Sequence, residues 1–115
     1  MKIKEEKKGD VLILILEGEL MGGDDLKPFQ EKIYQAIKQK RTRIVVDMAD
    51  VKWMNSSGLG TLMAGLTTLR SSEGDLKLAR VPERVKRPIQ ITKLDLVLQM
   101  FDTVEDAIRS FEMGG

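Results

Sequence analysis

The sequence predicts an α/β fold: a small mixed sheet of about five strands with an antiparallel N-terminal edge hairpin and four helices, wound as a β-α superhelix. Three observations carry this expectation. The runs "VLILIL" (11–16) and "RIVVDM" (43–48) are short and largely apolar, as expected of strands covered on both faces. Between and after them the hydrophobic spacing changes to intervals of three and four. The connections are short, so successive strand, helix, strand units imply parallel pairing, with right-handed crossovers that place the intervening helices on one side of the sheet. With 115 residues and 42% hydrophobic content, positions 1–115 read as a single domain with one core.

Taken in order, "KIKEEKKGD" alternates weakly and reads as an edge strand that ends at Gly9-Asp10 and folds back onto Val11 to Leu16. Leu26, Phe29, Ile33, Ala36 and Ile37 then form a helical stripe; Asp24 or Asp25 is placed to cap it, and Pro28 fits because it falls in the first turn. After "RIVVDM", the segment "ADVKWMN" reads as a loop. Leu59, Leu62, Met63, Leu66 and Leu69 lie on one side of a second helix that ends near Gly74. "DLKLARV" alternates as a strand, with Leu76, Leu78 and Val81 on related faces. "PERVKRPIQITKL" predicts a short or kinked helix, since Pro82 suits a first turn but Pro88 removes the hydrogen bond to the carbonyl of Arg84, at about 3 kcal/mol in a regular helix. "LVLQMF" reads as a last strand and "DTVEDAIRSF" as a last helix, with Asp102 and Glu105 at capping-box spacing and Val104, Ala107, Ile108 and Phe111 as its apolar stripe.

Composition narrows the chemistry. With 19 basic and 18 acidic residues the formal charge is +1, so nothing draws the chain to phosphate backbones or anionic lipid. Without cysteine there are no disulfides, thiolate metal sites or thiol nucleophiles, which suits a reducing cytoplasm. Without histidine no Ser-His-Asp arrangement can form, and the commonest neutral-pH acid/base and zinc ligand is missing. The amino terminus has no apolar signal region, and no segment reaches the roughly 20 apolar residues that cross a bilayer. The expectation is a non-enzymatic protein with no cofactor, no metal, no nucleic-acid partner and no membrane insertion.

The informative stretch is "NSSGLG", Asn55 to Gly60, which opens the second helix. Serine is a favoured N-cap, so Ser56 or Ser57 is expected in that role. Capping leaves the surroundings unexplained, because Trp53 to Leu69 carries no charge in a chain that is 32% charged. The side of the helix away from the leucines offers Gly60, Thr61, Ala64, Thr67 and Thr68, a low uncharged surface suited to close packing by another helix or a partner. The motif is neither G-x-S-x-G nor a phosphate-cradling loop, and a serine without histidine has no evident base beyond Lys52 or a carboxylate. A phosphate could instead arrive covalently, since a helix start welcomes it through free N–H groups and the dipole. Arg80, Arg84, Lys86, Arg87 and Lys93 make a local basic cluster that reads as a solvated face.

The stretch "DMADVKWMNSSGLGTLMAGL", preceded by "LEGEL" and followed by "LKLARVPERVKRPIQITKLDLVLQMFDTVEDAI", resembles a STAS domain of the anti-sigma factor antagonist type, from Val11 to Phe111. The resemblance implies a STAS-like fold of repeated β-α turns and a cytoplasmic partner switch. The unphosphorylated antagonist binds an anti-sigma factor that is itself a serine kinase, which frees the sigma factor. Phosphorylation of the first serine of the motif breaks that complex, and a phosphatase restores it. Carried over, the phosphoacceptor is Ser56, with Ser57 the lesser candidate. The partner surface is Met54, Asn55, Ser56, Ser57, Gly58 and Thr61. Asn55 stands where the family usually has aspartate, Met21 where an acidic residue usually follows "GEL", and Lys93 where many members have glycine. The rival expectation is a constitutive STAS binding subunit of a signalling scaffold or lipid-transport complex, in which Ser56 only caps.

Overall fold

In the computed structural model, which describes residues 1–112 apart from the side chains of Asp24 and Asp25, five strands lie side by side in chain order. Strand β1 (Lys2–Lys8) pairs antiparallel with β2 (Val11–Leu20), from Lys2 opposite Glu17 to Lys8 opposite Val11. Gly9 makes the turn in the left-handed region at φ 60°, where a side chain is disfavoured. Strand β3 (Arg43–Met54), β4 (Asp75–Ala79) and β5 (Met100–Phe101) then add in parallel. The mixed sheet with one antiparallel edge is the predicted architecture.

Helices α1 (Lys27–Lys38), α2 (Ser56–Ser71) and α3 (Glu83–Ile91) supply the crossovers and share the main core with the sheet. That core is built from Phe29, Ile33, Leu59, Leu62, Leu66, Leu69, Val85 and Ile89 against Leu12, Leu14, Ile44, Val46, Leu76 and Leu78. Helix α4 (Val104–Glu112) lies in a second cluster, where Ala107 and Phe111 meet Val11, Ile13, Val45 and Ala79. Odd-numbered residues of the first "VLILIL" run thus serve one core and even-numbered residues the other, which is why the run shows no alternation.

Several boundaries differ from the sequence expectation. The segment "ADVKWM" is not a loop: β3 continues to Met54, paired with β2 as far as Leu20 opposite Met54. Two irregularities in that pairing, between Ile15 and Glu17 and between Gly18 and Glu19, each place an extra residue in β3 and so break the alternation that a strand would otherwise show. Helix α1 begins at Lys27 after a 3-10 turn at Gly23–Leu26; its N-cap position is Leu26, which has no capping side chain, and the aspartates expected there lie outside the described side chains. Pro82 takes the N-cap position of α3 rather than a first-turn site, and α3 runs through Pro88 for three further residues. Lys93 follows at φ 61°, a backbone conformation that glycine adopts without strain. The last strand shrinks from "LVLQMF" to Met100–Phe101, because Leu94–Leu96 form a 3-10 turn. The cap of α4 is Thr103, whose Oγ1 accepts from the Asp106 N–H at 3.0 Å, so the cap lies one residue beyond the expected Asp102.

Two charged side chains are buried on the sheet. Asp47 accepts from Arg80 Nε at 3.0 Å and from the Ala49 N–H at 3.2 Å, tying β3 to the end of β4. Arg80 holds φ 53° there while its own N–H donates to the Phe101 carbonyl. The bond and charge of Asp47 hold the guanidinium above its usual pKa. Lys77 is buried beneath α4; its Nζ donates to Ser110 Oγ at 2.7 Å and stands 4.3 Å from the centre of the Phe111 ring. Burial holds the Lys77 ammonium below the usual lysine pKa, with Asp75 opposing and Arg43 adding to the shift.

Candidate functional site

The site begins where β2 and β3 end side by side. The Asn55 N–H donates to the Leu20 carbonyl at 3.1 Å, extending the pairing by one bond. Asn55 then adopts extended dihedrals and caps α2: its Oδ1 accepts from the Gly58 N–H at 2.8 Å, and its own carbonyl accepts from the Leu59 N–H at 3.0 Å. Its Nδ2 donates to the Met21 carbonyl at 2.9 Å. Every polar group of Asn55 is engaged, and they bind three segments: the strand end, the loop after β2, and the first turn of α2.

The N-cap is therefore Asn55, and the expectation that a serine fills that place is corrected. The physical reason is register. The cap must precede the first helical residue in an extended conformation and reach an N–H three positions on, and β3 runs on far enough to put Asn55 there. Ser56 and Ser57 are the first two residues of the helix, and both are exposed. Among the described residues the Ser56 hydroxyl has no hydrogen-bond partner. Ser57 contributes its carbonyl to Thr61 Oγ1 at 3.1 Å, and Thr61 is half-buried.

Two glycines let the segments meet this closely. A Cβ on Gly58 would stand 2.0 Å from the Leu20 carbonyl oxygen, so Gly58 is buried and supports the candidate surface from beneath rather than forming its outer face. A Cβ on Gly22 would stand 2.3 Å from Ser57 Cβ, and Gly22 has φ 84°. The loop after β2 thus rests directly on the serine turn.

Next to the serines is a feature that the apolar periodicity does not reveal. Met21 is 45% exposed and Trp53 56% exposed, and with Glu19, Met54 and Asn55 they line an open groove of about 280 Å³. Glu19 and Trp53 face one another across the β2–β3 pairing, which brings the two chain segments together. The guanidinium of Arg84, on α3, sits 5.4 Å from the centre of the Trp53 ring. The five cationic residues grouped by the sequence do not act together: Arg80 binds Asp47, Arg84 covers Trp53, and Lys86 stands 3.8 Å from Glu83. Met21 and Trp53 were legible as apolar residues, but only strand pairing shows that they share a groove.

The exposed small side of α2 is as expected, with Gly60, Ala64 and Thr67 exposed and Thr61 and Thr68 half-buried. Met54, Asn55, Ser56, Ser57 and Thr61 come together at one end of the molecule, on and around the first turn of α2. No helix among the described residues is long and apolar enough to cross a membrane.

Comparison with known proteins agrees with the fold. The family model of the STAS domain matches residues 2–107. A Thermotoga neapolitana protein, whose provisional name is anti-sigma factor antagonist TM1081 homolog, is 28% identical over 104 residues, covering 90% of this chain and 91% of its own. The anti-sigma-B factor antagonist of Staphylococcus aureus is 29% identical over 79 residues, covering 68% of this chain and 73% of its own. The solved structure of the anti-sigma factor antagonist SpoIIAA in its unphosphorylated form superposes with a TM-score of 0.80 at 25% identity, over 96% of each chain. The chain belongs to the STAS domain family.

Proposed function

We propose that this protein is an anti-sigma factor antagonist that binds an anti-sigma factor through the surface at the start of α2 and is released from it by phosphorylation of Ser56. The partner is a serine kinase as well as an anti-sigma factor: the Ser56 hydroxyl oxygen forms the new bond to the γ-phosphorus of ATP, ADP leaves, and the hydroxyl proton is lost. A phosphatase reverses the change by hydrolysis. The names of the relatives support the antagonist role. The observation that carries the switch is the Ser56 hydroxyl, exposed and without a partner among the described residues, in the first turn of a helix whose cap is supplied by its neighbour.

Energetics favour a change in affinity over a change in fold. A phosphate on Ser56 adds nearly two negative charges next to N–H groups of the first turn that have no intrahelical acceptor, where the dipole term is typically 0.3–1 kcal/mol in its favour. In the complex the same charge must be desolvated against a surface that met a neutral hydroxyl, which costs several kcal/mol unless a cation receives it.

The test is incubation with a purified anti-sigma factor kinase of the same organism and ATP, followed by intact-mass measurement and binding assays. Wild type should gain one phosphate and lose affinity, Ser56→Ala should gain none and still bind, and Ser56→Asp should bind at least ~10-fold more weakly, about 1.4 kcal/mol. Thr61→Arg should fold and fail to bind. A phosphate that persists in Ser56→Ala and disappears in Ser57→Ala moves the acceptor by one residue. If neither serine is ever modified while binding is retained, the protein is a constitutive binding subunit.

A further inference from the structure

We infer that the groove formed by Glu19, Met21, Trp53 and Met54 is a socket for an apolar side chain of the anti-sigma factor, with a cationic residue of that factor set against Glu19. This rests on the function proposed above and specifies the chemistry of its interface.

Single exposed apolar side chains are ordinary on a soluble protein, but two that line one groove together with a half-buried third need an explanation. Here Met21, Trp53 and Met54 come from two chain segments that strand pairing holds together, and Asn55 closes the groove at its serine end. The groove thus ends at the residue before Ser56, which places it within reach of a protein that contacts the serine turn. The other large exposed apolar side chains, Tyr34, Ile91 and Leu96, line no part of it.

The socket is partly preorganised. Trp53 carries Arg84 against its ring, and Asn55 fixes the backbone of Met21 through the bond to its carbonyl. Groups already held in place lose less freedom when a partner binds, and tryptophan is enriched among residues that dominate interface affinity. Charge then specifies the partner further. Glu19 is the one ionised residue lining the groove, and it has no ion-pair partner among the described residues. An anion at the rim of an apolar socket favours a cation beside the inserted side chain and speeds encounter with a partner that carries one. A cation paired with Glu19 is neutralised there and is not free to receive a phosphate on Ser56, so the socket is compatible with release on phosphorylation.

Because Trp53 is the only tryptophan, biosynthetic fluorotryptophan gives one fluorine resonance that reports on the groove. The labelled protein is titrated with each unlabelled, purified anti-sigma factor of the same organism. Binding should shift the resonance. Met21→Ser and Trp53→Ala should each weaken binding roughly 10-fold or more, with unchanged circular dichroism. Glu19→Lys should slow association several-fold and reduce its dependence on salt. Leu96→Ser, which removes a more exposed apolar side chain outside the groove, should bind as wild type. If Trp53→Ala proves unstable, Met21→Ser carries the test alone.

If the wild type binds and Ser56→Asp breaks the complex, yet Met21→Ser binds normally and the resonance stays in place, the socket is wrong and the proposed function stands. If no anti-sigma factor binds the wild type, both fail. Self-association in sedimentation experiments that Met21→Ser abolishes assigns the groove to a second copy of the chain and overturns the inference.

Discussion

Replacing Asn55 by alanine should destabilise the protein more than replacing either serine beside it, although the serines have the stronger reputation as caps. The alanine removes the acceptor that holds the Gly58 N–H at 2.8 Å and the donor that holds the Met21 carbonyl at 2.9 Å. Loss of a helix N-cap costs about 1 kcal/mol. The second bond is near the surface, so its net contribution is at the lower end of the usual range, about 0.5–1 kcal/mol. Together they predict a loss of about 1.5–2 kcal/mol, read as a lower urea midpoint at unchanged slope in far-ultraviolet circular dichroism. Ser56→Ala should stay within about 0.5 kcal/mol of wild type, since no bond is lost and alanine is the better helix former. Asn55→Asp separates the two roles. It keeps the acceptor and gains from the dipole, but it turns a second oxygen toward the Met21 carbonyl, so its stability should fall between those of Asn55→Ala and wild type at neutral pH. A loss above about 1 kcal/mol for Ser56→Ala, with Asn55→Ala within about 0.5 kcal/mol of wild type, would refute the assignment of the cap.

Two further outcomes follow from the packing. Gly58→Ala should cost about 3 kcal/mol, because the new methyl group would stand 2.0 Å from the Leu20 carbonyl oxygen and either the strand end or the helix must move; a variant with the wild-type melting temperature would show that this approach is not as tight as described. For Lys77, burial lowers the pKa in the folded state, so the unfolded chain binds more protons as pH approaches the ordinary lysine value of about 10.4, and stability from this group rises with pH there. The stability of wild type relative to Lys77→Met should therefore improve between neutral pH and pH ~10; a difference that stays flat or moves the other way would contradict the direction of the shift.

The sheet and the helices that cover it were legible because the helices space their apolar residues by three and four, while the central strands, covered on both faces, read as short continuous apolar runs. What failed was local. "ADVKWM" reads as a loop because two bulges displace the alternation, and the pairing that makes it a strand belongs to β2, some thirty residues earlier in the chain. The last strand was overread because Val97 and Leu98 are apolar for tertiary reasons, packing into the main core from the connection that follows a 3-10 turn. At the site, residue type pointed to serine as the cap, whereas the length of β3 decided for Asn55. The serine turn itself stood out by its missing charge. The groove beside it did not, since Met21 and Trp53 are brought together only by the parallel register.

The idle hydroxyl of Ser56 has a consequence for the lifetime of the protein in the cell. Proteolysis acts largely on transiently opened molecules, at a rate set by how often the fold opens. The hydroxyl holds nothing together, and Asn55, not Ser56, keeps the turn shut, so losing the hydroxyl leaves that frequency unchanged. A phosphate gains about 0.3–1 kcal/mol at the helix start of the folded molecule, so the modified form should open about two- to five-fold less often and outlast the unmodified one.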